Sequence, residues 1–137
     1  MRLLLFLTVI CSLRAAAVAP PDKILTVKVD EYGIIRVGRD TVSADELARY
    51  IQERLFKSYM GTGQMHDRIR FEKEAPAVSG IVTDVVIREI RIGQEKALRE
   101  LCLQKYRRTW EMLDSKKKSR LRKQFPVLFQ EEFSQNV

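Results

Sequence analysis

Nine basic residues fall between Lys105 and Lys123, namely Lys105, Arg107, Arg108, Lys116, Lys117, Lys118, Arg120, Arg122 and Lys123. Only Glu111 and Asp114 oppose them, so this segment carries a net +7. Cations at this density attract anions through their summed field. The candidate anion- or partner-binding residues are therefore Lys116, Lys117, Lys118, Arg120, Arg122 and Lys123. A solvated helix face that only aids solubility accounts for the same residues, and the sequence leaves both readings open. An apolar partner surface built on Trp110 or Phe125 is a third way to use this region.

Residues suited to catalysis are sparse. His66 is the only histidine, beside the Gly-rich stretch Gly61-Thr62-Gly63, and reads as a surface loop residue. That stretch lacks the lysine and the following Ser/Thr of a phosphate-binding loop. Glu72 and Glu74 are two apart on a strand pattern and point the same way, which fits a strand end with solvated charges. Cys102, on a helix pattern, reads as a buried and inert thiol. With Cys102 and His66 as the sole cysteine and histidine after the leader, no zinc site of the usual ligand count can be drawn within one chain. The expectation is a non-enzyme with no cofactor and no metal.

The chain has 137 residues, enough for one modest core. Its start has the plan of a secretory signal peptide: Arg2, an apolar run from Leu3 to Leu13 interrupted only by Thr8 and Ser12, then small residues to Ala19. Cleavage after Ala17 is expected, because Pro20 would hinder a cut after Ala19. An uncleaved short anchor is the alternative, although a span needs about 20 apolar residues and Arg14 comes early. A lipoprotein is disfavoured because Cys11 comes too early and follows the bulky Ile10. Without Arg2 and Arg14 the chain is +5, so everything outside 105–123 is slightly acidic and the positive field is local. Export makes lipid headgroups, peptidoglycan carboxylates or an acidic protein the candidate anions. Nucleic acid is not expected, since neither a binding motif nor an aromatic ladder accompanies the charge.

The elements that must carry these residues follow from periodicity. Ile24 to Val29 alternates, Asp30-Glu31-Tyr32-Gly33 is a turn, and Ile34 to Val37 is the return strand of a hairpin. Gly38-Arg39-Asp40 reads as a connection. Ser43 stands three residues before Glu46, the spacing of a capping box, which predicts a helix from Ala44 and a cost of about 1 kcal/mol for Ser43→Ala. Leu47, Tyr50, Ile51 and Leu55 give that helix an apolar face, and Gly61-Thr62-Gly63 ends it. Arg68 to Lys73 alternates as a half-buried strand, closed by Pro76. A long helix from about Val78 keeps Val82, Val85, Val86, Ile90, Ala97, Leu98 and Leu101 on one face. Gly93 costs roughly 1 kcal/mol inside a helix, which marks it as the place for a kink or an end. A helix from Asp114 to Gln124 is capped by Asp114 and stopped by Pro126, and Val127-Leu128-Phe129 reads as a possible last strand. The fold expected is a small two-layer α+β sandwich, a ββαβα core with a helical C-terminal extension. Its core should include Val27, Val29, Leu47, Ile51, Leu55, Ile69, Phe71, Val82 and Val86.

Three stretches, in this order, resemble the periplasmic domain of the ExbD/TolR family, the small subunits of proton-driven motor complexes in bacterial envelopes. Val27-Lys28-Val29-Asp30-Glu31-Tyr32-Gly33-Ile34-Ile35-Arg36-Val37 is similar to the family's first hairpin. Ser43-Ala44-Asp45-Glu46-Leu47 is similar to its helix start. Ile69 to Pro76 is similar to the strand that runs into an acidic-Lys-acidic-x-Pro corner, with Glu72 where an aspartate is usual. Trp110 to Asp114 and Leu121 to Pro126 resemble an extension of members from Bacteroidetes-like bacteria. The resemblance divides the chain into a leader or anchor (1–19), an ExbD/TolR-like periplasmic domain (20–104) and a basic helical extension (105–137).

The resemblance implies a non-enzymatic subunit or accessory of a TonB-type energy-coupling complex, at the periplasmic face of the inner membrane. Expected partners are ExbB-like and TonB-like proteins, peptidoglycan or anionic lipid, and a second copy of the chain. One departure stands out. The family's membrane helix carries an aspartate held to take part in proton passage, whereas no Asp or Glu precedes Asp22 here. The expectation is a relative that does not power a motor by itself. A stand-alone periplasmic module that binds peptidoglycan or a secreted partner is the alternative. Neighbouring genes for ExbB-like and TonB-like proteins would favour the first reading.

Overall fold

Alternation along Ile24–Val29 turns Leu25, Val27 and Val29 inward and leaves Lys28 in water, which makes this stretch strand β1. A computed structural model describes residues 23–133, and the leader assigned to 1–19 lies outside them. Asp30 shapes the turn that follows. Its Oδ1 accepts the backbone N–H groups of Tyr32 and Ile34, each at 2.9 Å, while Gly33 takes φ +78°. The chain returns as β2, Ile35–Val37, with Val27 opposite Val37.

The sequence reading missed a strand here. Asp40–Val42 is β3, paired antiparallel with β2 through Ile35↔Val42, and not a connection. Gly38, at φ +62°, lets the chain reverse so tightly, and the Tyr50 hydroxyl donates to Asp40 and ties β3 to the next helix. Arg68–Lys73 is β4, with the bounds expected, and it runs parallel to β1 with Leu25↔Ile69 and Val27↔Phe71 in register. The sheet order is β3-β2-β1-β4. The core is thus βββαβα, one strand more than expected.

Helices α1 (Ala44–Thr62) and α2 (Gly80–Tyr106) pack on each other and cover the apolar sheet face, giving a two-layer α+β sandwich. Of the nine predicted core residues, eight are buried, while Val82 is half-buried near the hairpin turn. Ser43 does occupy the N-cap position of α1, but its side chain makes no cap bond. Its carbonyl instead accepts the Glu46 N–H at 3.1 Å, so the expected capping box is not closed. The helix also outruns Gly61 and closes at Gly63, φ +72°, whose N–H reaches the Tyr59 carbonyl.

Gly93 does not end α2, which stays helical through it to Tyr106. A Cβ there would lie 2.7 Å from the Ala48 carbonyl oxygen and 2.8 Å from Ile51 Cβ. Its missing side chain is the space in which α1 meets α2.

The C-terminal part shares the same core, to which Leu113, Leu121, Phe125, Val127, Leu128 and Phe133 all belong. It contains a 3₁₀ turn at Trp110–Met112, helix α3 at Ser115–Gln124, and a second 3₁₀ turn at Pro126–Phe129. The expected last strand at Val127-Leu128-Phe129 is therefore wrong. Pro126 opens a 3₁₀ turn, and Gln94, buried on α2, holds that turn by donating to the carbonyls of Val127 (2.7 Å) and Gln130 (3.1 Å).

The topology places α3 at one end of the sandwich. β1 and β4 both start there, as Ile24↔Arg68 shows, and α1 and α2 both finish there. Tyr59, in the last turns of α1, meets Phe125 edge-on at 5.3 Å. The far end holds the hairpin turn and the start of α2, where Gly33 faces Val82.

Candidate functional site

Helix α3 is almost wholly polar, so it needs help at its ends and sides. Asp114 is its N-cap: its Oδ1 accepts the Lys117 N–H at 2.8 Å. That backbone hydrogen bond, reinforced by the neighbouring lysine charges, holds the Asp114 carboxyl below the usual aspartate range. Arg122 and Lys123 in the last turn suit the negative end of the helix dipole. Leu121 is the helix's one buried side chain.

The six basic residues predicted as one site divide into two groups. Lys117, Lys118 and Arg122 lie on aromatic rings. The Lys117 Nζ sits 5.5 Å from the Tyr106 ring, while the Lys118 Nζ and the Arg122 guanidinium sit 5.3 and 5.6 Å from the Trp110 ring. Arg122 also lies 5.8 Å from Phe129, whose ring is 5.2 Å from that of Trp110. Lys105, from the end of α2, reaches over Phe125 at 5.6 Å and donates to Gln124 at 3.0 Å. Such contacts contribute about 0.5–1 kcal/mol each where water has access. These cations dock α3 onto the body.

Lys116, Arg120 and Lys123 form the second group. At 100° per residue they fall within about 60° of arc, on the side of α3 opposite Lys118, and they span about 10 Å of helix axis. All three are exposed, and none forms an ion pair among the described residues. The sequence reading missed this division, because the rings that decide it come from Tyr106, Trp110 and Phe129. Trp110 and Phe125 themselves are not an open apolar surface. Phe125 is 2% exposed, and Trp110 is half-buried beneath Lys118 and Arg122.

The remaining sequence candidates have structural occupations. His66 is buried at 4% exposure, which corrects its reading as a surface loop residue, with its Nε2 3.4 Å from the Ser58 hydroxyl. Met65 beside it is also buried, so this connection folds inward. Burial pushes the Cys102 thiol up, with Glu111 adding to the effect. Glu72 lies between Arg70 (3.7 Å) and Lys28 (4.0 Å), and Glu74 pairs with Arg36 at 3.2 Å. Among the described residues no group of three or more His, Cys, Asp or Glu is placed to hold a metal ion. No described helix is long and apolar enough to cross a membrane.

Comparison with known proteins finds no matching family model, and no curated protein matches the chain.

Proposed function

We propose that the protein is a non-enzymatic, ExbD/TolR-like component of a TonB-type energy-coupling complex in the bacterial envelope, working by contact through the exposed face of α3. The observation that carries this reading is the row Lys116, Arg120 and Lys123, three exposed cations on one helix face, none of them within ion-pair distance of a carboxylate among the described residues. The placement of the three family-like stretches supports it. They supply the β1–β2 hairpin, the start of α1 and strand β4, so the resemblance falls on adjoining parts of one sheet-and-helix body. Expected partners remain ExbB-like and TonB-like proteins, with peptidoglycan or anionic lipid as the other anions within reach.

A stand-alone envelope-binding module is the second reading, favoured by the same face, since docking through α3 needs no motor. Crosslinked envelopes carrying the tagged protein separate the two. Recovery of an ExbB-like multi-span protein with the wild type, and its loss with the K116E/R120E/K123E variant, supports the first reading. Recovery of peptidoglycan fragments or a secreted protein alone supports the second.

A further inference from the structure

We infer that the anion met by Lys116, Arg120 and Lys123 is the headgroup plane of an anionic phospholipid bilayer. This rests on the reading of α3 as an anion-binding face and goes beyond it by naming the surface.

Shape is the first argument. The three cations stand on the convex side of a helix, in a row about 10 Å long. Selective recognition of a discrete ligand needs a concave site with converging polar groups. Two shallow depressions among the described residues run along the outer side of α2 and the 128–131 segment, lined by Asp84, Arg88, Arg91 and Glu95 among others, and neither includes any of the three cations. A convex row of mobile side chains suits a plane of repeated, laterally mobile anions, where each Lys or Arg adds about 1 kcal/mol.

Position is the second argument. The chain enters β1 at Ile24, at the end of the sandwich that carries α3. The apolar run Leu3–Leu13 is joined to that entry point by residues 14–23, a link of at most about 35 Å when fully extended. Where the apolar run is kept as an anchor, the alternative to a cut after Ala17, the bilayer that holds it lies within that reach of the end that carries α3. The docked cations make up the third argument. Lys117, Lys118 and Arg122 fix α3 to its aromatic floor, so the outward row is presented on a rigid support.

The test is co-sedimentation of the full chain with vesicles of phosphatidylcholine alone and of phosphatidylcholine with phosphatidylglycerol, at low and high salt. The neutral vesicles report whatever the apolar run does by itself, and wild type and both variants share it. Wild type should prefer the anionic vesicles, and salt should erase the preference, since exposed charges are screened beyond about 8 Å at physiological ionic strength. The triple Gln variant should lose about a hundredfold in partitioning to anionic vesicles, and the K116E/R120E/K123E variant, which adds repulsion, should lose more. Equal partitioning of wild type and the Glu variant overturns the inference. Loss of binding to isolated peptidoglycan, with vesicle binding unchanged, overturns it too while leaving α3 as an anion-binding face. If the Glu variant matches wild type on vesicles, peptidoglycan and envelope extracts alike, the reading beneath it falls as well. Matching thermal melts of the three proteins exclude unfolding as the cause.

Discussion

The side-chain amide of Gln130 takes the place of a neighbouring strand for Ile69. Its Oε1 accepts the Ile69 N–H at 2.8 Å, and its Nε2 donates to the Ile69 carbonyl at 2.7 Å. Two residues on, the Phe71 N–H donates to the Phe133 carbonyl at 2.7 Å. The outer edge of β4 is thereby satisfied without a fifth strand, and it offers no free ladder for edge-to-edge pairing at these positions. Gln130→Leu, which keeps the bulk and removes both partners, should destabilise the protein by about 1–3 kcal/mol. Urea unfolding of this variant beside Glu131→Ala, an exposed neighbour, measures it.

Gly93→Ala should also destabilise, against the usual gain of about 1 kcal/mol from replacing a helical glycine. The new methyl would press on the Ala48 carbonyl and on Ile51, and both are held by the opposing helix. Overpacking of this kind costs about 1–3 kcal/mol. A stabilised variant in denaturant melts would mean that α1 and α2 lie farther apart than described.

The two helix N-caps should respond differently to mutation. Ser43→Ala removes no cap bond and should stay within about 0.5 kcal/mol of wild type, less than the capping-box spacing suggested. Asp114→Ala removes the acceptor of the Lys117 N–H and should fray α3. Because the folded carboxyl titrates below the usual range, its stabilisation is present above the ordinary aspartate pKa of about 3.9 and is lost as the pH falls through the folded value. Amide exchange along α3, followed into the acid range, should show this helix opening before α1 and α2.

These outcomes show how much of the fold was legible. Helix α3 and strand β4 could be bounded from sequence because a strong cap, a clean alternation and a proline punctuate them. Strand β3 could not, since Asp40-Thr41-Val42 is three residues long and mostly polar, and only its partner β2 makes it a strand. Val127-Leu128-Phe129 has strand-like composition, but Gln94, 33 residues earlier on a helix, captures the Val127 carbonyl. The same limit applies to the candidate site. Charge density pointed to α3, yet nothing local in Lys116 to Lys123 says which cations are docked and which are free. Tyr106, Trp110 and Phe129 decide that across the tertiary structure.

Cys102 offers a check on the core through pH. Burial raises its thiol pKa, so its contribution to stability is intact below the unfolded thiol value of about 8.5 and falls as the pH rises toward the folded one. Wild type should therefore lose more stability than Cys102→Ala between about pH 7 and about pH 10. The native thiol should resist alkylation until the chain unfolds.

The most direct test of function sets two triple variants side by side in one experiment, sedimentation with native envelope material alongside urea unfolding. The account predicts that K116E/R120E/K123E unfolds like wild type but loses most of its salt-sensitive binding. K117E/K118E/R122E should instead lose about 2 kcal/mol of stability as its cation–ring contacts vanish. Undiminished envelope binding by K116E/R120E/K123E would contradict the claim that this face of α3 is where the protein meets its partner.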